Sequence, residues 1–169
     1  MHTINREGVF LPGWEAMPDI GLYMDQLLTM ANRVFSPPIP RGEITHSMIN
    51  NYVKSGLLPR PVRKRYEREH LALLMMIVVL KQALSLESIR QLLDALCRAG
   101  AQAGYALFCT RLEEIDTALQ AGHVDLDWES APPDERTLSA GILAALCTIH
   151  ATRILEQAQK EGSYDLPAL

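Results

Sequence analysis

Apolar residues recur three and four positions apart along most of this chain, which is the spacing of residues on one face of an α-helix. The pattern predicts six helices, over about 19–34, 45–55, 67–82, 85–96, 105–119 and 135–160. Gly and Pro residues lie between most of them and predict loops. Ser85 is suited to cap the helix at 85–96, and Gly100 and Gly104 are expected to loosen the chain after that helix. The helix at 67–82 is apolar nearly all round from Leu71, so we expect it at the centre of the core. The sequence therefore predicts an all-α protein.

The helix predicted at 45–55 has one apolar and one polar face. Thr45 is suited to cap its first turn and is also a candidate DNA contact, and Gly56 is suited to end the helix before Pro59. The polar face carries hydrogen-bonding side chains at successive helical positions: Ser47, Asn50, Asn51 and Lys54. Because Asn can bond an adenine edge and Lys can bond guanine or phosphate, this row is a candidate for reading bases in the major groove. The alternative is an ordinary solvated helix face.

A basic segment, residues 57–66, follows this helix. Pro59 and Pro61 keep its backbone extended. It carries side chains suited to the phosphates of DNA, namely Arg60, Arg63, Lys64, Arg65 and Tyr66. The segment is predicted to form a short basic β-wing that holds phosphates while the polar helix reads bases.

The distribution of charge agrees with a local phosphate-facing surface. The whole chain has a net charge of −4, which argues against indiscriminate binding of nucleic acid. Residues 41–70 contain seven Lys or Arg and three Glu, a balance of +4, so the remainder carries −8. One basic patch on an acidic body is typical of proteins that bind nucleic acid at a single surface.

Four segments in this region also resemble a known bacterial family. LYMDQ, SMINNYVKSGLLP, KRYEREH and LKQALSLESI follow the order and spacing of domain of unknown function 1836, which is regarded as a MerR-like DNA-binding group. The resemblance covers about residues 14–98. It implies a MerR-like winged helix-turn-helix in which Asn51 and Tyr52 take the paired aromatic positions of the recognition helix. Lys64 and Tyr66 would then be wing residues that contact the DNA backbone.

These observations divide the chain into three regions. We predict an N-terminal arm at 1–18, a MerR-like winged helix-turn-helix domain at 19–100 and a C-terminal helical extension at 101–169. The last helix has an apolar face wider than one stripe. That face either forms a homodimer or packs in the core. The C-terminal helices are also a possible site for an unidentified small-molecule effector.

Candidate chemistry is sparse. Three unevenly spaced cysteines predict no disulfide framework and fit a cytoplasmic protein, and Cys147 with His150 is a weak pattern for a metal site. The longest apolar run, Leu71–Leu80, is too short to span a membrane. No catalytic or phosphate-loop motif is visible, so we expect no enzyme, cofactor or metal. The predicted function is a transcription regulator that binds double-stranded DNA. The alternative is a protein-interaction module that does not bind DNA.

Overall fold

The computed structural model describes residues 8–35, 39, 43–126 and 129–161 of the 169-residue chain. Within these ranges the protein is all-helical, as predicted. A short 3-10 helix, Trp14–Ala16, precedes six α-helices: α1 Met24–Val34, α2 His46–Lys54, α3 Arg68–Leu80, α4 Leu86–Leu96, α5 Ala101–Gln120 and α6 Pro133–Glu161.

Local signals in the sequence set the ends of α2 and the start of α4. The Thr45 hydroxyl accepts a hydrogen bond from the Met48 N–H at 3.3 Å, and the Ser85 hydroxyl accepts one from the Ser88 N–H at 3.1 Å. Both satisfy a backbone donor that the helix itself leaves without a partner. Gly56 follows α2 with a φ of 72°, the left-handed conformation expected at a helix end. The predicted caps and stop are confirmed.

Helix α3 forms the centre of the core. Every residue from His70 to Leu80 is buried. This helix contacts α1, α5 and α6, so its apolar surface is covered on several sides. The other buried residues form one continuous cluster with it, from Val9 in the N-terminal arm to Ile149 in α6. The core therefore runs across the predicted regional boundary at residue 100.

Residues 8–22, which comprise the described part of the N-terminal arm and the four residues after it, lie against this core. The Val9 N–H donates to the Asp116 carboxylate at 3.3 Å, and the Tyr105 hydroxyl donates to the Pro12 carbonyl at 2.8 Å. At its other end, the N–H and C=O groups of Leu22 pair with those of Tyr66, each at 2.8 Å. These bonds join the arm to α5 and to the segment that follows α2.

Two helix starts differ from the sequence predictions. Helix α1 begins at Met24 and not near residue 19, because Leu22 is extended and pairs with Tyr66. Helix α5 begins at Ala101 and contains Gly104, which was expected to loosen the chain. Gly104 is buried there, and a Cβ at this position would lie 2.8 Å from the Cys97 Sγ and 2.8 Å from the Leu96 carbonyl oxygen. Its role is to let α5 approach the end of α4 closely.

Helix α6 extends past the core. Its buried residues end at Ile149, whereas Ile154 and Leu155 are 64% and 41% exposed. In the part of the chain that the structure describes, Pro133–Lys160 is one helix long and apolar enough to cross a membrane by length and composition. The same length and composition occur in core helices of soluble proteins, and the first half of α6 packs in the core.

Candidate nucleic-acid interface

The polar face of α2 is open to solvent. All four side chains of the predicted row are exposed: Ser47, Asn50, Asn51 and Lys54. On the opposite face, Ile49 is fully buried and Tyr52 is 3% exposed. Within the described residues the four side chains of the row make no hydrogen bond or ion pair, so their donors and acceptors are available to another molecule. Thr45 is also exposed, and its hydroxyl caps the helix.

Side chains from three other elements hold α2 in place. The Asn32 amide bonds both the N–H and the C=O of Ile44, at 2.9 and 3.0 Å, just before the helix. Lys81 donates to the Tyr52 hydroxyl at 3.0 Å, and Arg90 donates to the Ser55 carbonyl. The roles of these three residues could not be predicted from the local sequence, because they depend on contacts between elements far apart in the chain. They fix the position of a helix whose exposed face is free.

The basic segment after α2 contains a hairpin turn in which Arg63 and Lys64 connect Val62 to Arg65. The N–H and C=O groups of Val62 pair with those of Arg65, at 3.1 and 2.9 Å. Arg63 and Lys64 have φ angles of 50° and 64°, and they are the only non-glycine residues with positive φ in the described ranges. Positive φ at both central positions is the pattern of a type I′ hairpin turn.

A strand-based wing is not seen at this place. The described residues contain two isolated bridges, Val62 with Arg65 and Leu22 with Tyr66, but no strand. Beyond the turn the next hydrogen-bonded pair would be Arg60 with Glu67, but the Glu67 N–H donates to the His70 Nδ1 at 3.0 Å at the start of α3. The predicted β-wing is therefore replaced by a basic turn, which we define as residues 60–65.

The cationic side chains of the basic turn differ in their surroundings. Arg60, Arg63 and Lys64 are exposed and have no ion-pair partner among the described residues. Arg65 is half-buried: its Nη1 donates to the Gly21 carbonyl at 2.9 Å, and its guanidinium lies 3.7 Å from the centre of the Tyr23 ring. Arg65 thus supports the base of the turn, and its neighbours project into solvent.

Tyr66 does not belong to this exposed surface. It is 4% exposed, and its ring meets His70 edge-on with 5.4 Å between ring centres. Burial raises the pKa of its hydroxyl. The backbone pairing with Leu22 turns the ring into the core, and the contact between the Tyr66 hydroxyl and phosphate stays a prediction.

The surface has four exposed cations without an ion-pair partner in the described ranges: Lys54, Arg60, Arg63 and Lys64. Arg68 is different, since it pairs with Glu15 at 3.2 Å. Arg41 lies outside the described residues. Arg63 follows Lys54 by nine residues, so at most about 32 Å of extended chain separates them. That is less than one turn of duplex DNA, which is about 34 Å, so both cations can contact one site.

Cys147 and His150, the weak metal pattern of the sequence, have different surroundings in the structure. His150 lies 3.0 Å from the Asp116 carboxylate, whereas Cys147, one turn earlier, is exposed. No group of three or more His, Cys, Asp or Glu residues suited to a metal occurs in the ranges that the structure covers. Cys97 and Cys109 are half-buried, and burial raises the pKa of both thiols. These residues act as small core side chains.

A family model described as Domain of unknown function (DUF1836) matches residues 12–106, more than half of the chain. The chain belongs to this family. The DUF1836 region includes α2, the basic turn and all of α3 and α4, and it ends inside α5. Comparison with curated proteins finds no match, and comparison with solved structures finds none.

Proposed function

We propose that this protein binds duplex DNA and regulates transcription, with α2 in the major groove and the basic turn on the phosphate backbone. The observation that carries the proposal is the exposed polar row on a helix that other elements hold rigidly in place. Amide side chains at successive helical positions suit base edges, and Asn can engage adenine with two hydrogen bonds. Lys54, at the end of the row, suits guanine or phosphate. We propose that the domain works as a MerR-like helix-turn-helix in which a compact turn takes the place of the wing.

The conformation of the basic turn supports the same function. Both central positions have positive φ, which costs a non-glycine residue about 1–2 kcal/mol. Asn-Gly is the pair best suited to such a turn, yet this chain has Arg63 and Lys64 there. Strain of this kind concentrates at functional sites. The two residues carry positive charge at the tip of the turn, as phosphate binding requires.

The decisive experiment replaces the turn by its most favourable sequence. The double variant Arg63→Asn/Lys64→Gly removes two charges and relieves the backbone strain. We expect its free energy of unfolding to rise by about 1 kcal/mol. Binding to a labelled random-duplex DNA pool should become weaker, and the slope of log K against log salt should fall by about two units. Weaker binding by a more stable protein excludes unfolding as the cause.

A matched control removes two charges elsewhere. Arg98→Gln/Lys160→Gln changes exposed cations on the α4–α5 connection and at the end of α6. Its salt slope should equal that of the unmodified protein. Asn50→Ala/Asn51→Ala should abolish sequence preference and leave the slope unchanged, because these residues are assigned to bases. A turn variant with an unaltered slope would remove Arg63 and Lys64 from the interface, and absence of any retained DNA at low salt would refute the proposal.

A protein-interaction module is the second candidate, favoured by Ile154 and Leu155 on the part of α6 beyond the core. The same face is our proposed homodimer contact, which would give DNA two half-sites. An apolar interface responds little to salt, in contrast to phosphate binding. Sedimentation of the unmodified protein and of Ile154→Asp at micromolar concentration tests the contact. A monomer in both cases would exclude the dimer.

A further inference from the structure

Two uncharged groups that precede α1 hold the guanidinium of Arg65. Its Nη1 donates to the Gly21 carbonyl at 2.9 Å, and its central carbon lies over the Tyr23 ring, 3.7 Å from the ring centre. A guanidinium at this distance is attracted to the face of the ring. Because neither partner carries a charge, the hydrogen bond and the ring orient the cation without neutralising it.

The close approach at this point requires a residue without a side chain at position 21. A Cβ on Gly21 would lie 2.9 Å from the Arg65 Cβ and 2.9 Å from a carboxylate oxygen of Glu67. Leu22, the next residue, pairs in both directions with Tyr66, the residue after Arg65. Residues 21–23 therefore fit against the end of the basic turn and fix the Arg65 side chain on its surface.

One edge of the Arg65 guanidinium remains open. Arginine has five N–H donors, and its Nε and Nη2 form a lateral fork that matches two oxygens of one anion. Neither atom has a partner among the described residues, and neither belongs to the buried atoms that lack one, so both retain accessible surface. The Nε of Arg111, by contrast, is buried. Arg65 also forms no ion pair in the described ranges.

We propose that Arg65 is a preformed two-point ligand for one DNA phosphate, and that Gly21 and Tyr23 are its positioning residues. Its Nε and Nη2 each donate to one non-bridging oxygen of the phosphodiester, which a planar guanidinium can do and an ammonium group cannot. Arg63 and Lys64, at the tip of the turn, have no hydrogen bond or ring contact among the described side chains that would orient them. This assignment rests on the proposed binding of DNA.

Charge-conserving variants of the full chain test the fork, with the labelled random-duplex DNA pool at two salt concentrations. Arg65→Lys keeps the charge but lacks the fork, and we expect it to bind about tenfold more weakly. Arg63→Lys is the matched control and should bind as the unmodified protein does. The salt slope should be the same in all three proteins, because the number of cations is unchanged. Equal affinities of the two Lys variants would overturn the proposal.

Uncharged variants test the role of the ring. Tyr23 is 50% exposed, so its replacement leaves the core intact. Tyr23→Leu removes the aromatic face and should weaken DNA binding about threefold, with the salt slope unchanged. Tyr23→Phe retains the face and should restore the affinity of the unmodified protein. Equal binding by the Leu and Phe variants would exclude Tyr23 as a positioning residue.

Nuclear magnetic resonance of the Arg Nε–H groups tests the fork without DNA. The ¹⁵N–¹H nuclear Overhauser effect of Arg65 should indicate a more rigid group than that of Arg63, and Tyr23→Leu should remove this difference. Inorganic phosphate should shift the Arg65 signal more than the Arg63 signal, because Arg65 alone of the two is oriented. If no duplex is retained, the proposed function fails, and this titration still decides on the fork. Equal phosphate shifts of the two signals would contradict the assignment.

Discussion

Tyr105 is the largest fully buried side chain among the residues that the structure describes, and its hydroxyl joins two parts of the chain. The hydroxyl donates to the Pro12 carbonyl and lies 3.3 Å from the Met75 sulfur. Burial raises its pKa well above the ordinary value of 10.0, and burial also raises the pKa of Tyr66. Burial likewise raises the pKa of the Cys97 and Cys109 thiols. All four groups are therefore held in their neutral, protonated form by the fold.

These residues predict a loss of stability at alkaline pH. Above the ordinary cysteine pKa of 9.0, the unfolded chain releases protons that the folded chain still holds. The free energy of unfolding must then fall as pH rises. Urea denaturation at about pH 8, 9 and 10 measures this fall. In Tyr105→Phe the fall should be shallower, because the variant lacks one hydroxyl proton that the unfolded chain would release. A free energy that stays constant up to pH 10 would contradict the predicted direction.

The roles of single residues could be predicted from the sequence where their interactions are local. Thr45, Ser85 and Gly56 act within one helical turn, so their roles are visible in the sequence and are confirmed. Tyr66 fails as a predicted surface residue because its position depends on Leu22, more than forty residues earlier. Arg63 and Lys64 were predicted to be cations that face phosphate, but their positive φ angles were not predicted, because Asn-Gly is the usual sequence signal for such a turn.

At the scale of elements, the close contact between α4 and α5 depends on Gly104. Gly104→Ala would place a Cβ 2.8 Å from a backbone oxygen of Leu96, so the helices must separate. We expect a loss of about 1–3 kcal/mol in the free energy of unfolding. Gly13→Ala is the matched control, since no atom lies within 4 Å of the added Cβ. Urea denaturation of both variants should give a destabilised and a near-neutral protein, respectively. Equal stability of the two would refute the proposed contact.

Helix existence could be predicted from the sequence, but some helix ends and the wing could not. The apolar stripes of α2, α3 and α4 are continuous. Each of these helices begins and ends within two residues of its predicted bounds. Helix α1 loses its expected first turn to the pairing of the arm with Tyr66, and α5 gains a first turn despite Gly104. The strands of the wing do not form because Glu67, which would pair next across the turn, bonds to His70 at the start of α3. In each case a contact outside the local pattern determines the outcome.

At the scale of the whole molecule, α6 completes the cover of α3. The chain truncated after residue 132 lacks α6 and leaves exposed one side of α3, which is apolar from Leu71 to Leu80. We expect it to be insoluble, or to lose its near-ultraviolet circular dichroism and bind a hydrophobic dye. The chain truncated after Ala151 keeps every buried residue of α6 and should unfold cooperatively. Cooperative unfolding of the shorter chain would show that α6 is dispensable.

The candidate interface and the contacts that support it differ in how far the sequence reveals them. The interface occupies residues 45–65, a contiguous stretch, so its polar row and cations are visible before the fold is known. The side chains that hold α2 in place come from Asn32, Lys81 and Arg90, which meet it only in the folded chain. Predicting these contacts from the sequence would have required the packing of the helices.

The central position of α3 has a consequence for biosynthesis. This helix is made early, whereas the residues of α6 that cover it extend to Ile149, 69 positions after Leu80. At typical translation rates, on the order of 3–14 s pass between the synthesis of α3 and that of its last covering residue. During that interval an apolar surface of the nascent chain is available to chaperones and to other nascent chains. The early exposure of α3 thus makes the yield of folded protein dependent on the rate of elongation.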